Sequence, residues 1–531
     1  MRMKNEQVKK TMKGALILSV ASLIAKILSA VYRIPFENIV GNTGFYVYQQ
    51  VYPLYGIGMT FALTGFPVYI SKLVAEKRSE AEKLRLVQQL FVILCVFSVL
   101  TFSGLRIFAP LIAKAMGDLK LAGLIKSIAW MLLFMPFLAV GRGYYQGTFN
   151  MVKTAVSQVT EQFVRVGLII LAALLFARLD WSLYKMGALA MFASSVGAFV
   201  ACLSFVGFYR KKFFKRVKAP QTSYLALTEK LFTDGLILCL FASMMVLLQL
   251  IDSFTVVRGL FSNGFLPADA KNIKGIYDRA QPLVQLGMVL AVGFSSTLLP
   301  TLSHALQQKK LAEFRRISSV MLRVSIAMAV AATFGMIVLM PQINTLLFGD
   351  AHLSLTLSVY ALSIIFITVI GTYNSILQSL NQFLITVFGL ILALVGKLIL
   401  NVWLIGRLNI MGASLATVIS LIVALGWILA FIPDLVKGLF KTGYFWIKLA
   451  LATGLMYGSV WLLLRLLGPL FGTGRLECLC LVFLGALLGA SVFLVVALSS
   501  KLFSVREWLL LPGGRKILSL WQNILRKKES K

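Results

Sequence analysis

Runs of roughly twenty apolar residues recur along the whole chain, about fourteen of them, and each is long enough to cross a bilayer as a helix. They fall near 12–32, 45–71, 86–109, 121–141, 154–177, 184–208, 231–257, 280–304, 317–347, 354–379, 383–406, 410–432, 444–467 and 479–500. In lipid every backbone polar group must be bonded internally, so such runs must be helices. A β-barrel would show weaker alternating segments of about ten residues. The composition agrees: 59% hydrophobic residues and a mean hydropathy of +0.87 over 531 residues are outside the range of a soluble domain. The fold class read from the sequence is therefore an all-α polytopic membrane protein.

A net charge of +33 would suit a nucleic-acid partner, but its placement excludes one. With the N-terminus inside and fourteen spans, 34 of the 52 Lys and Arg fall in cytoplasmic segments, 13 in outer ones and five within spans. This is the positive-inside bias, and it predicts that both termini are cytoplasmic. The basic loops would lie against anionic lipid head groups. The first apolar stretch has no small-residue cleavage site and runs on into Arg33-Ile34-Pro35, so no cleavable signal peptide is read there.

The chain also repeats. Tyr48-Gln49-Gln50-Val51-Tyr52-Pro53-Leu54 and the residues that follow, through Ala62, match 277–291 without a gap at six of fifteen positions. Gly187-Ala188-Leu189-Ala190 is echoed by Gly412-Ala413-Ser414-Leu415-Ala416. Two similar membrane halves are the usual sign of a transporter with a midplane site. The basic loop at 210–216 is the natural seam. The expected organisation is an N-terminal lobe (1–213, spans 1–6), a C-terminal lobe (214–435, spans 7–12), two further spans (436–503) and a basic cytoplasmic tail (504–531). The outer connection 259–276 is polar and long enough for a flexible lid. The tail, with Trp508 and Trp521, reads either as an amphipathic surface segment or as a frayed end.

Ionisable and amide residues inside spans are costly, and they mark pathways or structural pairs. On the first span these are Lys26, Arg33 and Glu37. Arg33 reads as a cavity-lining cation or as a snorkelling interfacial one. Gln49 and Gln50 beside Pro53 have repeat mates Asp278, Arg279, Gln281 and Gln285 beside Pro282. They line a cavity at paired kinks or cap helices at the membrane edge. In 141–165 stand Arg142, Gln146, Asn150, Gln158, Glu161, Gln162 and Arg165. Gln158, Glu161 and Arg165 share one helical face, and Glu161 and Arg165 are spaced to pair with each other. Asn374, Gln378, Asn381 and Gln382 read mainly as interhelical glue. Lys397, followed by Asn401, reads as an unpaired ammonium. Asp252, with Gln249 before it, would bind a coupling cation or pair with Arg258. Asp278 is the second coupling-ion candidate. The candidate cavity is net positive, which suits an anionic substrate gripped by guanidiniums.

No P-loop, no Gly-x-Ser-x-Gly and no metal-ligand spacing occur, so neither a cofactor nor a metal nor an enzymatic reaction is expected. Cys95, Cys202, Cys239, Cys478 and Cys480 read as small apolar fillers.

Gly143-Tyr144-Tyr145-Gln146-Gly147, the stretch 157–165 (SQVTEQFVR), 277–283 (YDRAQPL), Leu298-Leu299-Pro300 and Gly412-Ala413 resemble the polysaccharide-transporter group of the multidrug/oligosaccharidyl-lipid/polysaccharide superfamily. Within it, the chain looks like the stage V sporulation protein B-like proteins, relatives of the MurJ lipid II flippases. The resemblance covers nearly the whole chain. It implies a V-shaped, pseudo-symmetric bundle of two six-helix lobes plus two C-terminal helices. It also implies alternating access and an undecaprenyl-diphosphate-linked saccharide as cargo, with Arg33 and Arg279 facing the cavity. The expected partners are that cargo and membrane lipids, and the protein is expected to act as a monomer in the cell membrane. A cation-coupled multidrug-type exporter using Asp252 or Glu161 shares the fold, and a non-transporting scaffold is the third reading.

Overall fold

The computed structural model describes residues 2–215, 217–220, 222–439, 443–510, 514–516 and 518–519. It describes their side chains except at 2–13, 15–16, 64, 290–297, 299–300, 303, 506 and 509–510. The described chain is 86% helical with no strand. The main helices are α1 (Arg2–Val31), α2 (Arg33–Thr60), α3 (Phe66–Glu76), α4 (Glu80–Ile107), α5 (Met135–Gly147), α6 (Met151–Leu179), α7 (Leu183–Leu203) and α8 (Met244–Ser262). After these come α9 (Pro267–Asp278), α10 (Ala280–Gln307), α11 (Leu311–Val338), α12 (Ser363–Ser379), α13 (Leu384–Leu408), α14 (Ile410–Phe431), α15 (Phe445–Leu467), α16 (Arg475–Ser499) and α17 (Val505–Leu510).

Among the described residues, 12 helical stretches are long and apolar enough to cross a membrane, which makes this a multi-pass membrane protein. Fourteen separate spans are not seen, for two reasons. The runs at 12–32 and 45–71 belong to one 60-residue stretch, Ile17–Glu76. The run at 280–304 lies in α10, where most side chains from 290 to 300 are outside the described residues.

By compactness the chain forms two units, Met1–Pro282 with Leu390–Ser420, and Leu283–Gly389 with Leu421–Lys531. In the first unit, α1 stops at Val31 and α2 begins at Arg33. Pro35 therefore sits in the first turn of α2, where its missing N–H costs no helical bond. The helix axis breaks again at Gly41 (φ 71°) and passes through Pro53 to a π-helical turn at Phe61–Gly65. Around α2 lies a core of buried residues that includes Phe36, Phe45, Val47, Phe66, Leu90, Leu124 and Met191.

The Gly143–Gly147 motif has a packing explanation. The two glycines are one turn apart on the face of α5 that meets α3. A Cβ at Gly143 would lie 2.6 Å from Ile70 Cβ, and one at Gly147 would lie 2.7 Å from the Ser71 carbonyl oxygen. Small residues at this spacing let two backbones approach closely, the main source of helix association when lipid removes the hydrophobic drive.

In the second unit, Val338, Leu339 and Val460 form a small core joined by Ile343 and Leu464. Asn374 accepts a hydrogen bond from Thr386 (2.9 Å), the glue role expected of that amide. The start of the tail is docked rather than free. Ser504 and Glu507 cap each other across the first turn of α17, Glu507 pairs with Arg323 at 2.9 Å, and Trp508 is buried against Phe503. Residues 511–513, 517 and 520–531, Trp521 among them, lie outside the described residues.

The α3–α5 contact generates a paired prediction. Gly143→Leu forces overpacking against Ile70 and should cost about 1–3 kcal/mol, seen as a lower Tm in detergent. Gly167→Leu, at a site with nothing within 4 Å, should leave Tm unchanged.

Candidate functional site

The cations, carboxylates and amides read from the sequence as substrate or coupling-ion ligands (Arg33, Gln49, Arg142, Gln158, Glu161, Arg165, Asp252, Asp278, Arg279, Gln281 and Lys397) lie in the first unit and are buried. Asn150 is exposed, and Gln285, Asn374, Gln378, Asn381 and Gln382 fall in the second unit. Among the described residues of the first unit, six cations are at most 1% exposed: Arg33, Arg142, Arg165, Lys274, Arg279 and Lys397. Four carboxylates are comparably buried and each meets one of them.

Glu161 pairs with Arg142 at 2.6 Å, not with Arg165 as its helical spacing allowed. Arg142 is fully engaged: it donates to Ser157 Oγ through Nε and Nη2 and to the Ala62 carbonyl through Nη1. It reaches α6 from α5 and the end of α2, and so ties three helices together.

Glu37 pairs with Arg279 at 2.6 Å, and Arg279 also donates to Asn42 Oδ1 at 2.8 Å. Both partners are on α2, and Arg279 follows α9 directly. A Cβ at Gly275 would lie 2.1 Å from the Asn42 carbonyl oxygen, so only glycine permits this approach. Lys274 pairs with Asp278 one turn along α9 at 2.5 Å. The segment expected as a flexible lid is thus an anchored helix that starts at Pro267. Its outer end is fixed by Lys271, which meets Asp118 at 2.6 Å and Tyr184 Oη at 3.0 Å. Burial opposes the Lys271 charge, but the bonds to Asp118 and Tyr184 outweigh it and raise its pKa above the ordinary lysine value. A raised lysine pKa stabilises at neutral pH, and the contribution is lost only as pH rises through that alkaline value.

Asp252 pairs with Lys397 at 2.7 Å, so Lys397 is not an unpaired ammonium and Asp252 does not pair with Arg258. Arg258 instead donates to the Lys114 carbonyl. Asp252 also accepts from Asn401 (2.9 Å) and Tyr277 (3.2 Å), and Lys397 donates to Thr417 Oγ1 (2.9 Å).

Two cations remain without a carboxylate, Arg33 and Arg165. Arg33 makes no hydrogen bond through any of its three guanidinium nitrogens, and it lies 4.2 Å over the ring of Tyr52. Arg165 lies 4.7 Å over Tyr55 and 5.1 Å over Tyr32. It donates to Gln162 Oε1 at 2.7 Å and makes longer contacts to the hydroxyls of Ser29, Tyr32 and Tyr48. Tyr32 and Tyr48 are bonded to each other at 2.8 Å, and Tyr48, Tyr52 and Tyr55 pack in sequence along α2. Cation–π contacts in a desolvated site are worth about 2 kcal/mol or more each, and they are what hold these two charges. The tyrosines were not singled out from the sequence. Their spacing at 48, 52 and 55, one face of a helix, was the available signal.

Beside the cage, Gln49 is fully buried with neither side-chain polar atom bonded, while Gln50 donates to the carbonyls of Met116 and Ser253. Gln158 accepts from Ser22 at 2.9 Å. Gln281 is buried with bonding of its own. Lys26 is exposed on α1.

A bundle of apolar helices with buried ion pairs and a caged cationic pair is the arrangement of a membrane transporter. The fold is that of the multidrug/oligosaccharidyl-lipid/polysaccharide superfamily. It matches the inward closed conformation of a lipid II flippase, MurJ, with a TM-score of 0.67 at 16% identity over 91% of this chain and 98% of the other. An inward-facing multidrug resistance MATE family transporter matches at 0.61 with 15% identity, over 81% of this chain and 99% of that one. The chain belongs to the polysaccharide biosynthesis protein family, whose profile matches residues 11–306. In Bacillus subtilis (strain 168), the uncharacterized membrane protein YabM is 38% identical over 418 residues, 77% of each chain. The lipid II flippase MurJ of the same organism is 27% identical over 443 residues, 78% of this chain and 81% of that one.

The Arg142–Glu161 pair should prove structural. Arg142→Ala leaves Glu161 buried and uncompensated, which costs about 3–5 kcal/mol. Thermal unfolding should show a large loss of Tm that the double variant Arg142→Ala/Glu161→Ala partly restores.

Proposed function

We propose that this protein is a flippase that moves an undecaprenyl-diphosphate-linked saccharide, lipid II or a related cell-envelope precursor, from the inner to the outer leaflet by alternating access. The observation that carries the reading is the surplus of two buried guanidiniums, Arg33 and Arg165, that are in ion-pair contact with no carboxylate among the described residues. A diphosphate supplies the missing negative charge, and its oxygens fit the forked donors of arginine. Gln49, buried beside the cage with free polar atoms, offers an amide to the same head group. Arg142, Arg279 and Lys397 are each held by a carboxylate and serve to position the helices that carry the cage. The prenyl tail stays in lipid, and spans 13–14 flank it. Rocking of the 1–213 lobe against the 214–435 lobe, with both termini in the cytoplasm, would carry the head group across. The protein acts as a monomeric transporter rather than an enzyme.

The rival is a cation-coupled small-molecule exporter, favoured by the likeness to a multidrug transporter. Its coupling carboxylates would be Asp252, Asp278 or Glu161. Each of these is already in an ion pair, and a drug exporter for organic cations calls for an acidic cavity, not a surplus of arginine.

The test is flipping of labelled lipid II in proteoliposomes. Wild type should move it, while Arg33→Ala and Arg165→Ala should each lower the rate about tenfold or more, the loss of one charge-assisted hydrogen bond, in protein that still folds. Full flipping by both variants would remove the cage from the mechanism. Export of organic cations without movement of any lipid-linked saccharide would favour the rival.

A further inference from the structure

Asp252 is the centre of a second buried polar node, separate from the tyrosine cage. It was read from the sequence as a carboxylate for a free coupling cation, yet the position is taken by part of the chain itself. The Lys397 ammonium is fully buried, 2.7 Å from Asp252 Oδ2 and 2.9 Å from Thr417 Oγ1. The other members of the node bond Asp252 and not the ammonium. Asn401 donates its amide to Asp252 Oδ1 at 2.9 Å and to Thr255 Oγ1 at 2.8 Å, and Tyr277 donates to Asp252 Oδ2 at 3.2 Å. Asn401 is fully buried too, and its own carbonyl oxygen, Oδ1, has no donor.

We propose that Lys397 is a tethered cation: its ammonium fills a site lined by Asp252 Oδ2 and Thr417 Oγ1, with Asn401 holding the Asp252 carboxylate from its other oxygen, that would otherwise take a free monovalent cation. Three features fix the ligand class. The atoms that meet the ammonium are a carboxylate and a hydroxyl oxygen, the kind that suits hard cations. The local charge is one carboxylate against one ammonium, so a single positive charge makes the node neutral and a divalent ion would overshoot. The orphaned Asn401 Oδ1 is a further buried acceptor that a bare ion can use. The node is assembled from α8, α13 and α14, with Tyr277 from α9, so occupancy couples the packing of all four helices. With the lysine in place the node needs no ion from solution and stays neutral whatever the sodium or potassium concentration. This inference is independent of the cargo.

The prediction concerns stability and does not depend on transport. Purified protein in detergent is unfolded thermally in NaCl, KCl and choline chloride at matched ionic strength. Wild type should give one Tm in all three salts. Lys397→Ala, which removes the ammonium and opens the space, should have a lowered Tm in choline chloride and a saturable rise with NaCl or KCl. Lys397→Met fills the volume without the charge. It should be lowered in Tm and should not respond to any of the three salts. Asp252→Asn/Lys397→Ala should lose the response. If the alanine variant does not fold, Lys397→Ser supplies the same opening with an added oxygen. A saturable alkali-cation shift in the wild type overturns the proposal and does so whether or not any variant folds. An alanine or serine variant that folds but is indifferent to all three salts overturns it equally.

Discussion

Charge balance at membrane depth governs this structure. A charge taken out of water costs several kcal/mol unless a partner and hydrogen bonds replace its solvation. The first unit buries six cations, and four carboxylates answer them one to one: Glu161 to Arg142, Glu37 to Arg279, Asp278 to Lys274 and Asp252 to Lys397. These pairs join α2 to the region of α9, α5 to α6, and α8 to α13. Arg33 and Arg165 are the remainder. They are held by tyrosine rings and neutral donors, which stabilise a guanidinium without cancelling its charge. Two positive charges held without a paired carboxylate are the basis for proposing an anion site here.

Close helix packing places that remainder. The break between α1 and α2 falls at Tyr32, whose ring meets Tyr48 edge-on, and one face of α2 then presents Tyr48, Tyr52 and Tyr55. Arg165 enters from α6, a helix whose register is fixed two turns earlier by the Arg142–Ser157 and Arg142–Glu161 bonds. Gly275 lets α9 rest against the backbone of Asn42, which sets Arg279 on Glu37. The polar connection read as a loose lid is instead an anchored helix, α9.

Much of this was legible in the sequence and some was not, for physical reasons. The apolar runs announced a helical membrane protein because the bilayer admits little else. The fourteen runs compare with 12 stretches among the described residues, because Ile17–Glu76 holds two runs end to end across the break at Tyr32 and the run at 280–304 is only partly described. Buried charges were visible as polar residues in apolar runs, and the tendency to cationic surplus could be read from them. Their partners could not. Helical spacing relates Glu161 to Arg165 because they are four residues apart, but burial favours the partner that also satisfies Ser157 and Ala62, and that is Arg142 on another helix. Lys397 and Asp252 are 145 residues apart, a contact that no local period encodes. The tyrosine cage was missed because aromatic residues in an apolar run look like core until an arginine is found over them.

Arg33 and Arg165 are proposed here as an anion site for a lipid diphosphate. The most direct measurement is the affinity of the purified protein in nanodiscs for undecaprenyl diphosphate, set against uncharged undecaprenol, for wild type and Arg165→Ala. Wild type should prefer the diphosphate, and the variant should lose about 10- to 100-fold of that preference, the worth of a charged hydrogen bond, while its affinity for undecaprenol is unchanged. Equal preference for the diphosphate in both proteins would contradict it.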